Sequence, residues 1–210
     1  VFSDRASAGR VLAAHLPAYA GRDDVIVLGL PRGGVVVAAE VADALPAPLD
    51  ICVVRKLGVP GREELAFGAI ASGGALVLNS EVVQAFQLTD DDIHGVVRRE
   101  RVELERRERV YRGHGTPQSL PGRTVVLVDD GLATGATMRA AVEAVRQTAP
   151  AHIVVAVPVA AAQTVAALEQ IADQVVSADT PRSFMAVGQW YVDFRQTTDD
   201  EVRDLLALRR

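Results

Sequence analysis

Short Val-, Ile- and Leu-rich runs alternate along the chain with longer stretches in which apolar residues recur three and four apart. Strands of a parallel sheet covered on both faces read as continuous apolar runs, and the covering helices read as amphipathic periods. The pattern predicts an α/β fold, a doubly wound and mostly parallel sheet. Predicted strands are Val25–Leu30, Ile51–Val54, Thr124–Asp129, Ile153–Val157 and the shorter Val175–Ser177. Predicted helices are Val35–Leu45, Thr137–Gln147 and Ala161–Ile171, with a leading helix from Phe2 to Leu16 that Ser3 or Asp4 can cap. Leu65–Ala71 and Ala75–Leu78, joined by Ser72-Gly73-Gly74, read as a hairpin. One long helix, Asp90 to about Arg112, places Ile93, Val97, Leu104 and Tyr111 on one face. The expected organisation is one domain over 1–210. Its core covers about 20–60 and 120–178, an insertion about 60–118, and a small C-terminal piece about 179–196 before a last helix.

Composition narrows the function classes. The chain has 210 residues, 49% hydrophobic and 23% charged, which is enough apolar material for a sizeable core and excludes disorder. Its formal charge of −5 leaves no overall basic field, so nucleic acid is not an expected partner. Cys52 stands alone, which excludes an internal disulfide. His15, His94, His114 and His152 are dispersed and suggest no zinc site. No apolar run approaches the roughly 20 residues of a membrane span, and no basic-then-apolar leader opens the chain. A cytoplasmic protein is expected. The start at Val1 suggests either a trimmed chain or a domain of a larger one, and a homodimer is compatible with the sequence.

From Arg98 to Arg112 there are seven Arg and four Glu, with Glu103–Arg107, Glu105–Arg109 and Glu108–Arg112 spaced i,i+4. The plain reading is a solvated helix laced by ion pairs. The sharper one is a patch for an anionic partner, although aromatic residues for base stacking are almost absent.

The chemistry concentrates in Thr124-Val-Val-Leu-Val-Asp-Asp-Gly-Leu-Ala-Thr-Gly-Ala-Thr137. A buried strand delivers two adjacent carboxylates to the crevice where ligands of such sheets bind. A small-residue turn at a helix N-terminus then offers backbone N–H groups and the hydroxyls of Thr134 and Thr137 to a phosphate. Asp129 and Asp130 suit the paired hydroxyls of a ribose. An ordinary strand–turn–helix explains neither the paired acids nor the Thr-Gly-x-Thr spacing.

This stretch resembles the 5-phosphoribosyl 1-pyrophosphate (PRPP) binding motif of type I phosphoribosyltransferases. The resemblance runs from about Val25 to Val176. It implies that Asp129 and Asp130 hold the ribose and a magnesium ion, partly through water and substrate. It implies that Ala133, Thr134, Gly135, Ala136 and Thr137 hold the 5-phosphate. Gly29-Leu-Pro-Arg-Gly-Gly34 resembles the family's pyrophosphate loop, which assigns Arg32, Gly33 and Gly34 to the leaving group. Gly-Gly before a helix is also a common packing device. Arg55-Lys56 precede Leu57–Leu65, in the place of the family's mobile closing loop, so Lys56 is a further pyrophosphate ligand or a surface charge.

Where salvage enzymes for hypoxanthine and guanine usually carry an acid, this chain has Ala133, as in adenine-type loops. Either Glu63 or Glu64 then serves as general base, or none is needed. Pro181 to Asp193 matches the family's variable hood, where Trp190 or Tyr191 is placed to stack on an acceptor or to cover a sheet edge. The middle insertion and the C-terminal segment look more like a phosphoribosyltransferase-like branch whose members are sometimes fused to hydrolase domains. The implied activity is Mg-dependent transfer of phosphoribosyl from PRPP to a small nitrogenous, nucleobase-like acceptor. The alternative is a regulator that senses PRPP or a nucleotide in the same pocket and binds nucleic acid or a fused partner domain.

Overall fold

A computed structural model describes residues 1–113 and 115–209, so His114 lies outside the described residues. In chain order the elements are α1 (Arg5–Ala13), β1 (Val25–Gly29), α2 (Gly33–Ala44), β2 (Leu49–Ile51), β3 (Val54–Val59), β4 (Arg62–Ala71), β5 (Leu76–Leu78), α3 (Ser80–Ala85), α4 (Asp90–Arg112), β6 (Thr124–Val128), α5 (Ala136–Arg146), β7 (His152–Val159), α6 (Ala162–Leu168), β8 (Gln174–Asp179) and α7 (Asp199–Ala207).

Five strands form the central sheet in the order β2-β1-β6-β7-β8, and every pairing is parallel. Successive residues of a strand point to opposite faces, and here each face is covered. Val25, Val27, Val126 and Val128 pack beneath α1, α2, α4 and α7, whereas Ile26, Leu28, Val125 and Leu127 pack with Met138, Ala141 and Val145 of α5. The continuous apolar runs of the sequence are therefore central strands of a doubly wound sheet.

The connection after β1 runs through α2 to one edge, and the connection after β6 runs through α5 towards the other. Neighbouring strands whose connections leave in opposite directions open a crevice at their C-terminal ends, the usual ligand position in such sheets. The strands β1 and β6 are these neighbours, in register from Val25 opposite Thr124 to Gly29 opposite Val128.

Several expectations need correction. The run Ile51–Val54 is not one strand: β2 ends at Ile51, and Val54 begins β3 in a separate antiparallel sheet, β3-β4-β5. Cys52 lies buried just beyond β2, and burial pushes its thiol up to about 12, so it is unreactive at neutral pH. The segment Leu57–Leu65, expected as a Gly/Pro-containing loop, is the tip of the β3–β4 hairpin, turning at Pro60-Gly61. Phe2 is outside α1, which Asp4 caps through Ser7. Among the ion pairs expected on α4, Glu103–Arg107 and Glu108–Arg112 form, while no Glu105–Arg109 pair forms among the described residues. Arg112 also reaches Asp50 at 2.8 Å, which makes a buried pair that pins the end of α4 to β2.

Candidate functional site

The turn after β1 and the turn after β6 touch. A Cβ on Gly33 would overlap Oδ2 of Asp130, and one on Gly34 would stand 2.8 Å from Cα of Asp129. Neither position admits a side chain, so these glycines bring backbone against the paired carboxylates. The peptide between Pro31 and Arg32 is cis.

Asp129 and Asp130 are half-buried at the end of β6. Oδ1 of Asp129 accepts the amide of Asp130 at 2.9 Å. Burial pushes the Asp129 carboxyl well above the ordinary carboxylate range, and the neighbouring Asp130 charge adds to the rise. Burial also raises Asp130, against the opposing pull of Arg5, whose Nε donates to Oδ2 of Asp130 at 2.7 Å. Low dielectric and like charge thus act together on the pair, and one guanidinium relieves part of the repulsion.

Past the acids the chain forms an open cradle. Ala133, Thr134, Ala136 and Thr137 are exposed at the start of α5, and Gly135 takes φ +69 to turn into that helix. The cradle is pinned from behind: the hydroxyl of buried Thr164 donates to the carbonyl of Ala133, and its methyl closes on Gly135. Leu132 and Ala161 extend the anchoring, with Leu132 N–H on Val159 O and Ala161 N–H on Leu132 O.

Beside the acids, the segment before α1 packs against residues 190–194. Phe2 donates its amide to Trp190 O at 2.7 Å, and Val192 returns a bond to Phe2 O at 2.9 Å. Tyr191, expected as an acceptor-stacking face, is instead buried between Phe2 and Phe194, and its hydroxyl donates to the carbonyl of Asp130 at 2.5 Å. It is a strut under the diacid, and its ring is covered on both sides. Trp190 stacks on Phe184 with centroids 6.4 Å apart, and its indole N–H is buried with no partner among the described residues.

The remaining expected residues stand apart. Lys56 is exposed on β3 opposite Ala69, and Glu63 and Glu64 are exposed on β4. Glu63 accepts from the amide of Gly61 at 3.3 Å. None of the three makes a described contact with the diacid or the cradle. Arg32 turns its guanidinium towards Asp199, at 3.5 Å. Sequence reasoning missed Arg5, Thr164 and Asp199. Thr164, a hydroxyl on the apolar face of a predicted helix, is the one whose signal could have been noticed.

Residues 4–195 match the family model described as the phosphoribosyl transferase domain. The chain is 50% identical over 202 residues to a Mycobacterium tuberculosis protein named "Putative phosphoribosyl transferase Rv0571c", covering 96% of this chain and 45% of that protein. It therefore spans less than half the length of the curated relatives it matches. Among solved structures, the TT1426 protein from Thermus thermophilus superposes with a TM-score of 0.88 at 44% identity, covering 99% of this chain and 98% of that one. The AQ2163 protein from Aquifex aeolicus shares the fold, with a TM-score of 0.51 at 11% identity over 96% of this chain and 82% of that one.

Proposed function

Because this chain belongs to the phosphoribosyl transferase domain family, we propose that it transfers the 5-phosphoribosyl group of PRPP to a nitrogenous, nucleobase-like acceptor and releases pyrophosphate. The observation that carries this reading is the contact of two turns distant in sequence. The Gly33-Gly34 backbone, suited to a pyrophosphate, lies directly against Asp129 and Asp130, suited to ribose hydroxyls, with the Ala133–Thr137 cradle continuing the same turn. A pyrophosphorylated sugar phosphate needs those three recognitions side by side.

Asp129 and Asp130 accept from the ribose hydroxyls. The amides of 134–137 and the hydroxyls of Thr134 and Thr137 hold the 5-phosphate. Arg32, the Gly33 and Gly34 amides and Lys56 take the charge that grows on the leaving pyrophosphate. The sugar passes through a cationic state, so fixed donors and carboxylates around it count for more than covalent chemistry. Lys56 sits on the β3–β4 hairpin, and this reading has that hairpin close over the crevice to exclude water from the cation. Trp190 is the hood residue assigned to the acceptor. No general base is assigned, since Glu63 and Glu64 are exposed on the hairpin.

Among the described residues no three His, Cys, Asp or Glu converge as a metal cage. Two neighbouring carboxylates are what a magnesium carried in by substrate oxygens requires, so Asp129 and Asp130 fit that ion. When bound, magnesium would neutralise charge on the pyrophosphate.

The test is pyrophosphate release from PRPP across a panel of purine, pyrimidine and pyridine bases. Release with at least one base is expected. A chain that binds PRPP and releases pyrophosphate with none is a sensor of the same fold.

A further inference from the structure

The Arg-rich helix α4 is only partly a solvated face. Arg106 and Arg107 line a cavity of about 510 Å³ together with Arg32, Val110, Tyr111 and Asp199. That volume falls in the range of small-molecule sites, about 300–1,000 Å³. The walls are almost wholly polar, so an apolar ligand has nothing to pack against. Three guanidiniums stand here against two carboxylates, Asp199 and the Glu103 that pairs with both α4 arginines.

The donors are mostly uncommitted. Arg106 gives Nε and one terminal nitrogen to Glu103 at 2.7 and 3.0 Å, and Arg107 gives Nε alone at 2.8 Å. Arg32 has an ion pair with Asp199 at 3.5 Å and no hydrogen bond among the described residues. Each guanidinium carries five N–H groups in a planar fork that matches phosphate oxygens two at a time. The hydroxyl of Tyr111 contacts Asp199 at 3.2 Å, and its ring is buried, which holds the hydroxyl at the cavity wall. The Arg32–Asp199 pair is long and half-exposed, of the kind that a multiply charged anion displaces.

We propose that this cavity is an anion site for a diphosphate group, held by Arg106, Arg107 and Arg32 with Tyr111 as a fourth donor. Asp129, Asp130 and Ala133–Thr137 do not line it, but Pro31 and Arg32 of the proposed pyrophosphate turn do, so it adjoins the proposed donor site and meets it at Arg32. Its recessed shape suits a small anion better than a nucleic-acid strand. The diphosphate comes either as free pyrophosphate or as part of a nucleotide. Arg32 is shared with the proposed pyrophosphate turn. An occupant therefore withdraws that guanidinium from the leaving group, a consequence that rests on the proposed function as the site itself does not.

The test is calorimetry on the full chain without divalent cation, titrating inorganic pyrophosphate, a nucleoside diphosphate and orthophosphate separately. Wild type binds pyrophosphate, and the R106Q/R107Q variant binds at least about tenfold more weakly. Asp199→Asn, which removes the competing carboxylate, tightens binding several-fold. The Arg106, Arg107 and Asp199 side chains are 56%, 41% and 49% exposed, so these variants are expected to fold, and their melting curves check it. Stronger binding of the nucleoside diphosphate identifies a nucleotide as the source, and equal binding identifies pyrophosphate alone. The proposal is overturned by no binding to wild type or by unchanged affinity in R106Q/R107Q. Equal affinity for orthophosphate, or displacement of pyrophosphate by a short DNA duplex at lower concentration, would also overturn it. None of these readouts depends on turnover, so failure here and failure of the transferase reading are told apart.

Discussion

Arg5 donates to Asp130 across 2.7 Å, joining the first turn of the first helix to the second acid of the site. A cation at a helix N-terminus opposes the helix dipole, so Arg5 is placed there by its partners and against local preference. Its guanidinium lies 4.0 Å from the Phe194 ring centroid and bonds the carbonyl of Arg195 at 2.7 Å. The side chains of Arg5 and Asp130 are only 11% and 16% exposed. Arg5→Gln should therefore cost about 2 kcal/mol of stability, since it leaves a shielded carboxylate without its charged donor. Arg5→Lys should recover less than half, because an ammonium lacks the fork that reaches both acceptors. Urea unfolding of the three proteins checks this, and a cost below about 0.5 kcal/mol for the Gln variant would remove Arg5 from the account.

The diacid makes stability depend on pH in a direction that can be worked out. The folded Asp129 carboxyl lies above its unfolded value of about 3.9. Between those two values the folded state binds more protons, so this group's contribution to stability falls as pH rises through the window. Asp129→Asn removes that fall. The variant should gain on wild type at pH 7–8 and lose the advantage near pH 4. Thermal melts from pH 4 to 8 in metal-free buffer check the sign, and a pH-independent difference would contradict it.

The cradle depends on one backbone conformation. Gly135 holds φ +69, and a Cβ there would come 2.5 Å from Cγ2 of Thr164. Gly135→Ala should cost about 1–3 kcal/mol and weaken phosphate binding, because the turn must leave the left-handed region. Thr164→Val keeps the shape and loses only the bond to Ala133, so its cost should be nearer about 1 kcal/mol. Denaturant midpoints with and without phosphate rank the two, and the reverse order would show that the Ala133 bond outweighs the turn.

Lys56 is exposed and carries no structural duty in the described contacts. If it meets the leaving pyrophosphate, Lys56→Ala should lower kcat by roughly 10²-fold, the usual loss of one preorganised electrostatic donor, with a smaller change in PRPP affinity. Steady-state kinetics beside a melting curve checks this; unchanged kcat would return Lys56 to the surface.

The central strands were legible because β1, β6 and β7 are buried on both faces and so read as unbroken apolar runs. The diacid and its small-residue turn were legible because neither belongs in an ordinary strand-to-helix connection. The rest depended on partners far along the chain. Arg5 and Asp130 are 125 residues apart, and Arg112 and Asp50 are 62 apart, so each looks like a surface charge until the fold is made. The run Ile51–Val54 could not reveal that its two ends pair in different sheets, since apolar character does not name the neighbouring strand. Phe2 matched the helical period of the segment after it, and only the hood explains why it pairs with Tyr191. Arg62-Glu63-Glu64 looked like a loop because a ribbon tip exposed on both faces has no apolar alternation to display.

The claim at the centre is that Asp129 and Asp130, the Gly33-Gly34 turn and the Ala133–Thr137 cradle make one PRPP site. Calorimetric titration of wild type and D129N/D130N with PRPP and magnesium tests it most directly. Wild type should bind PRPP, and the double variant should bind at least about 100-fold more weakly, as two charged acceptors are lost. A single cooperative melt of the variant at neutral pH shows that it is folded. Absence of PRPP binding by wild type, or equal affinity in the variant, would contradict the account.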